Sequence, residues 1–188
     1  FPILMGHALI GRLMIPIYRE NPPAHSPENF ARLRRVRMAL SGLMMALMVP
    51  VTLGGVWLVD LLYDARYASS GVVVVMLAVA LLPQILTLSY DQAALASGDS
   101  RGYFTLNAIR PFLLVVLMLV SVPRAGVAGA AVAIGLTHLL CWPLVARLAR
   151  RHGAWDPAHD AVMGALAALL VLGAALLHGP VIAALLTG

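Results

Sequence analysis

Lysine is missing altogether, cysteine occurs once and only eight residues are acidic in a chain of 188. With a single thiol, Cys141, no intrachain disulfide can form, and because Cys141 lies in an apolar run it says nothing of the redox compartment. All thirteen basic residues are arginine. The six histidines are scattered without metal-ligand spacing. Ser/His/Asp arrangements and phosphate-cradling glycine patterns are lacking as well, which argues against an enzyme and against a bound metal or cofactor. Long polar loops are scarce. The longest offers only Glu20, His25 and Glu28, too little for a membrane-embedded glycosyl or acyl transferase. No basic stretch, apolar stretch and cleavage site follow one another in signal-peptide order. The first residue is Phe1, already inside an apolar segment, so the chain reads as the later portion of a longer membrane protein.

Charge is the most informative scarcity. Charged residues make up 11% and hydrophobic residues 61%, whereas a soluble domain is about 25% charged and about 45–50% apolar. A water-soluble core of this size cannot hide so much apolar surface. Met38–Val59, Tyr67–Tyr90, Ala125–Ala146 and Ala161–Gly188 contain no Asp, Glu, Lys or Arg. Each is long enough to cross a hydrocarbon core of about 30 Å as a helix of roughly 20 residues. Gly102–Pro123 is interrupted only by Arg110 and Phe1–Tyr18 only by Arg12. The expected fold is therefore all-α, a polytopic transmembrane bundle of about six spans.

The net charge of +5 does not point to nucleic acid, because the arginines sit at helix ends rather than on one soluble face. The linker Arg19–Arg37 holds Arg19, Arg32, Arg34, Arg35 and Arg37, and Arg147–Pro157 holds Arg147, Arg150 and Arg151. Asp64–Ser69 and Pro123–Gly126 hold one arginine each. The positive-inside rule then places loops 19–37, 98–102 and 147–157 in the cytoplasm and the other two turns outside, an arrangement expected for a bacterial inner membrane. Ser26-Pro27-Glu28 has the order of an N-cap, a first-turn proline and an early acid, and so starts a helix. Arg32, Arg34, Arg35 and Arg37 on that helix serve as topology anchors or grip lipid phosphates, at about 1 kcal/mol per arginine near an anionic surface. Gly126, Ala130, Ala133, Thr137 and Cys141 form a small-residue stripe for close helix packing. Pro50, Pro83, Pro111 and Pro143 mark points where spans soften or kink.

Within the helix expected over Gly71–Ser97, Gln84, Thr87 and Asp91 fall at i, i+3 and i+7 and line one face; Val75, Leu82 and Leu86 lie opposite, toward lipid or packed helices. Asp91 is seven residues from Gly98, about 10 Å deep at roughly 1.5 Å per residue. Left unpaired near the membrane centre it would cost roughly 3 kcal/mol. Arg110 lies at nearly the same depth on the other side of the Gly98–Gly102 turn, with Asn107 extending its polar face. The two are expected to meet. Such a pair fixes helix register or lines a solvated pathway; alternatively Arg110 snorkels to the interface and leaves Asp91 without it. Arg12, two turns from the end of its helix, and His138, in mid-span, are the remaining intramembrane polar groups. Arg12, Gln84, Asp91, Asn107, Arg110 and His138 together are the candidate substrate-pathway residues.

"RLMIPIYRE" (Arg12–Glu20), the basic linker, "LVDLLYDARYASSG" (Leu58–Gly71), "ALASGDSRGYFTLNAIR" (Ala94–Arg110) and "RAGVAGAAVAIGL" (Arg124–Leu136) follow one another in an order that resembles the later half of the polysaccharide-biosynthesis flippases. These belong to the superfamily of multidrug, oligosaccharidyl-lipid and polysaccharide exporters. The resemblance covers residues 1–153 and implies the second lobe of a two-lobed exporter, with 154–188 an added terminal span. It implies a cell-envelope role, the translocation of a polyprenyl-pyrophosphate-linked oligosaccharide by alternating access. Its partners would be that substrate, membrane lipids and an N-terminal lobe of the same protein. Arginines facing a central cavity would attract the pyrophosphate; Arg12 and Arg110 are the candidates, with Asp91 holding Arg110. A cation-coupled multidrug antiporter and a non-transporting membrane assembly subunit are the competing readings. The antiporter requires an acid with no arginine in reach, and the subunit an uncharged interior.

Overall fold

The structure is a computed structural model that describes residues 12–20 and 22–187. Residues 12–20 are helical (α1). Then come α2 (Pro27–Leu62), a 3-10 turn (Ala65–Tyr67), α3 (Ala68–Thr87), α4 (Asp91–Ala96), α5 (Ser100–Arg151) and α6 (Pro157–Thr187). Four helical stretches among the described residues are long and apolar enough to cross a membrane. The span expected over Phe1–Tyr18 falls mostly outside the described residues.

Helix α2 begins where its sequence requires. The Ser26 hydroxyl accepts hydrogen bonds from the backbone N–H of Glu28 (3.0 Å) and Asn29 (3.4 Å), and Pro27 occupies the first turn, where a missing N–H costs nothing. The buried positions Leu33, Arg37, Ser41, Met44, Met48, Thr52, Gly55 and Val59 recur every three or four residues, so one face of α2 turns inward along its whole length.

The 52 residues of α5 fold into a hairpin. Ala125 (φ −139°, ψ 19°) and Gly126 (φ 51°, ψ −128°) leave the helical region. Gly126 adopts a backbone conformation that side chains disfavour. The chain reverses there: the Ser121 hydroxyl donates to the carbonyl of Gly129 (2.8 Å), and Leu106 packs with Val145 and Leu148 at the far end of the arms. Each arm, α5a before the turn and α5b after it, is about 25 residues long, enough for one crossing.

Helix α3 runs through the middle. Val75, Leu82 and Ile85 are fully buried. The face carrying Val75 and Leu82 is thus packed rather than lipid-exposed. Leu82 and Ile85 meet Met44, Met45 and Met48 of α2 and Met163 and Ala167 of α6, so the terminal helix shares the core with α2 and α3. Near the other end of α3, Val72, Met76 and Ala80 meet Ala128 and Ala131 of α5b. Gly71 permits a close approach of α2 and α3, since a Cβ there would lie 2.8 Å from the Val56 Cα. Close backbone packing of this kind substitutes for the hydrophobic drive that helices lack in lipid. The outer faces are apolar: Trp57, Leu61, Phe104, Phe112, Leu119, Leu169, Leu172 and Leu176 are exposed. Contiguous surface of this kind suits a hydrocarbon surround and not water.

A single helix expected from Gly71 to Ser97 is interrupted, though not at Pro83. Pro83 sits inside α3 and the break comes at Leu88–Tyr90. The backbone there tightens: Tyr90 N–H donates to Thr87 and Ala93 N–H to Tyr90, both at 3.0 Å. These three-residue closures free the Ser89 carbonyl, which accepts from the Tyr18 hydroxyl (3.3 Å).

Loops 19–26, 97–100 and 151–157 converge at one end of the bundle. Arg34 pairs with Asp156 (3.2 Å), His152 lies 3.2 Å from the Asp99 carboxylate, and Gly153 packs against Ala24. The 3-10 turn and the α5 hairpin tip lie at the opposite end, where His178 bonds the Leu53 carbonyl at 3.0 Å.

Candidate functional site

Asp91 opens α4 and Arg110 sits in α5a, on the two sides of the Gly98–Gly102 turn. The Asp99 side chain caps α5 by accepting from the Gly102 N–H (2.8 Å), which fixes the angle at which α5a returns beside α4. Arg110 then meets Asp91 end-on: Nη1 to Oδ2 is 2.5 Å and Nη2 to Oδ1 is 2.8 Å. This is the parallel two-bond geometry that a guanidinium makes with a carboxylate. The pair is largely enclosed, with side-chain exposures of 16% for Arg110 and 8% for Asp91. The Nε of Arg110 makes no hydrogen bond among the described residues. The cation is therefore held by the two terminal nitrogens of its fork, with the Nε–H enclosed and unpaired among the described residues.

The other expected pathway residues are differently placed. Arg12 and Asn107 are exposed, and the Asn107 amide donates to the Tyr103 carbonyl of its own helix (2.9 Å). Gln84 and His138 are half-buried. Thr87 is buried and turns its hydroxyl back onto the Gln84 carbonyl (3.1 Å). Of the small-residue stripe on α5b, Ala133, Thr137 and Cys141 are buried, while Gly126 lies at the exposed hairpin tip.

One expectation is corrected. Arg37 does not reach lipid phosphate. It falls on the inward stripe of α2 and is fully buried. Its Nη2 donates to the Tyr18 hydroxyl (2.8 Å), and its guanidinium carbon lies 4.4 Å from the centre of the Tyr90 ring, a cation–π arrangement. Its Nε and Nη1 have no hydrogen-bond partner among the described residues. Arg34 is half-exposed and bound to Asp156, while Arg32 and Arg35 are exposed.

Compared with family models, curated proteins and solved structures, this chain matches none. Its functional reading rests on the residues themselves.

A second polar centre, unforeseen from sequence, joins α2, the α3–α4 break and the start of α6. Asp160 accepts four hydrogen bonds. Tyr90 (2.6 Å) and His159 (3.1 Å) bond Oδ1, and the indoles of Trp142 (3.2 Å) and Trp155 (3.1 Å) bond Oδ2. The other ring nitrogen of His159 meets the Ser41 hydroxyl at 3.0 Å. Asp156 caps α6 by accepting from the N–H of Ala158 (3.1 Å) and His159 (3.2 Å). Two signals could have exposed this centre. Asp156-Pro157 repeats the cap-then-proline order of Ser26-Pro27, and Arg37 lies in register with the buried positions of α2. Among the described residues, no cluster of three or more His, Cys, Asp or Glu could hold a metal ion.

Proposed function

We propose that this chain is a transporter lobe that helps to move a polyprenyl-pyrophosphate-linked oligosaccharide across a bacterial inner membrane by alternating access. The observation that carries the reading is the enclosed Asp91–Arg110 pair with its spare Nε donor. The Nε–H is enclosed here, so a pyrophosphate would reach it only when the cavity opens in another state of the cycle, while the carboxylate keeps the cation from wandering through the bilayer. The order of sequence segments that resembles the polysaccharide flippases supports the same substrate class. In this reading the chain makes about six crossings, the first over Phe1–Tyr18, and the arginine-rich end faces the cytoplasm. An N-terminal lobe would complete the cavity, and Gln84, Asn107 and His138 would line the route.

A cation-coupled antiporter with Asp91 as its ion site fits less well, because Arg110 occupies both carboxylate oxygens. A purely structural subunit fits less well too, because the interior holds Arg37, Asp91, Arg110 and Asp160. The test is export of lipid-linked glycan by the full-length protein carrying Asp91→Asn, Arg110→Gln, or the charge-swapped pair Asp91→Arg with Arg110→Asp. Both single variants should lose export while the swap regains part of it. Normal export by all three would refute the proposal.

A further inference from the structure

At the arginine-rich end, the two arms of the α5 hairpin flank an open cleft of about 400 Å³, lined in part by Arg101 and Ile109 of α5a and by Leu144, Arg147, Leu148 and Arg151 of α5b. The three arginines are exposed and form no salt bridge among the described residues. The cleft's one acid is Asp99. Its carboxylate is already occupied, by the Gly102 N–H at 2.8 Å and by His152 at 3.2 Å. Three cations thus face a cavity with one anion, which is hydrogen-bonded to Gly102 and His152 and lies within electrostatic reach of Arg151 alone among the three. Below them the walls are hydrocarbon, Ile109 and Leu144 being half-exposed and Leu148 buried. Arg101 lies nine residues before Arg110, some 13 Å nearer the helix end at roughly 1.5 Å per residue, so the cleft sits where headgroups would lie.

We infer that this cleft is a binding site for the phosphate of an anionic membrane phospholipid, with its acyl chains lying against Ile109 and Leu144. The shape supports a lipid over a free anion: charge gathers at the mouth and apolar wall continues toward the bilayer. Guanidinium is the side chain best matched to phosphate oxygens. The inference does not depend on the transport reading, since a lipid can brace the hairpin whatever the bundle moves.

The experiment uses the purified chain in mixed phosphatidylglycerol and phosphatidylcholine micelles, with retained lipid counted by native mass spectrometry. Each arginine near an anionic headgroup contributes roughly a fivefold preference. Wild-type protein should therefore retain phosphatidylglycerol over phosphatidylcholine by about a hundredfold. The triple variant R101Q/R147Q/R151Q should lose that preference, and Arg147→Gln alone should lower it about fivefold. The single variant changes one exposed side chain and preserves the test if the triple variant folds poorly. Arg66→Gln with Arg124→Gln, which removes two exposed arginines at the opposite end of the bundle, should leave the preference intact. An unchanged preference in R147Q and in the triple variant would overturn the inference. So would an equal loss in the Arg66/Arg124 control, which would indicate a general charge effect. Binding of inorganic pyrophosphate as tight as that of phosphatidylglycerol would overturn the lipid assignment, because the apolar wall would then contribute nothing.

Discussion

Replacing Arg110 by glutamine should be among the most destabilising single substitutions in this bundle. The change removes two charge-assisted hydrogen bonds of 2.5 and 2.8 Å and leaves Asp91, with a side chain only 8% exposed, without its cation. Breaking one partner of an enclosed ion pair costs about 3–5 kcal/mol, because an uncompensated charge remains. Asp91→Asn should cost less, about 2 kcal/mol, since the long arginine stem can carry its charge toward the interface. The double variant Asp91→Asn with Arg110→Gln removes both charges and should recover to within about 1 kcal/mol of wild type, as replacement of whole buried pairs does. Reversible unfolding in bicelles, completed as a double-mutant cycle, measures the coupling directly. The reasoning fails if Arg110→Gln costs less than about 1 kcal/mol, or if the double variant is no more stable than the worse single one.

Gly126→Ala should destabilise the hairpin by about 1–3 kcal/mol, the cost of a side chain in a disfavoured backbone region; an unchanged unfolding midpoint would contradict the turn geometry. Tyr90→Phe removes the 2.6 Å bond to Asp160 and should cost about 1.5–3 kcal/mol. It should also alter the fluorescence of Trp142 and Trp155, whose indoles bond the same carboxylate; unaltered emission would count against a shared centre. Arg37→Met should be neutral or stabilising by about 1–4 kcal/mol, since the guanidinium is buried with two nitrogens unsatisfied; a large loss would show that the stacking on Tyr90 dominates. Asp99 has its carboxyl held below the usual carboxylate range, first by the Gly102 N–H and then by His152. A depressed folded value means that the capping stability is fully present above the ordinary range and is lost as pH falls through the lowered one. Hydrogen exchange at Gly102 should therefore stay protected at mildly acidic pH, and Asp99→Ala should abolish that pH dependence.

Much of the architecture is legible from the chain alone, because lipid punishes misplaced charge so heavily. The uncharged runs locate the helices, Ser26-Pro27 places the start of α2, and the depth of Asp91 and Arg110 on either side of one turn foretells their meeting. What escapes a linear reading is which faces of the spans turn inward. Arg37 belongs to a dense basic run and reads as a surface anchor, yet the register of Leu33, Ser41 and Met44 carries it inside. The Leu88–Tyr90 break lies at the end of an uncharged stretch without glycine or proline at the break itself. Its partners come from distant segments, Tyr18 on one side and Asp160 on the other. Asp160 draws its donors from residues 90, 142, 155 and 159, a convergence that only tertiary packing can assemble.

The two ends of the bundle are secured by different physics. At one, ions, rings and caps lock neighbouring segments in fixed directions: Arg34 to Asp156, His152 to Asp99, Tyr90 to Asp160. At the other, beyond the His178–Leu53 and Ser121–Gly129 bonds, methyl groups and bare backbone meet, as at Gly71 and Val56, and such surfaces slide with little penalty. Helix splaying forced by a thinner or thicker bilayer should therefore be absorbed at the hairpin tip and the 3-10 turn, with the arginine-rich end acting as the pivot.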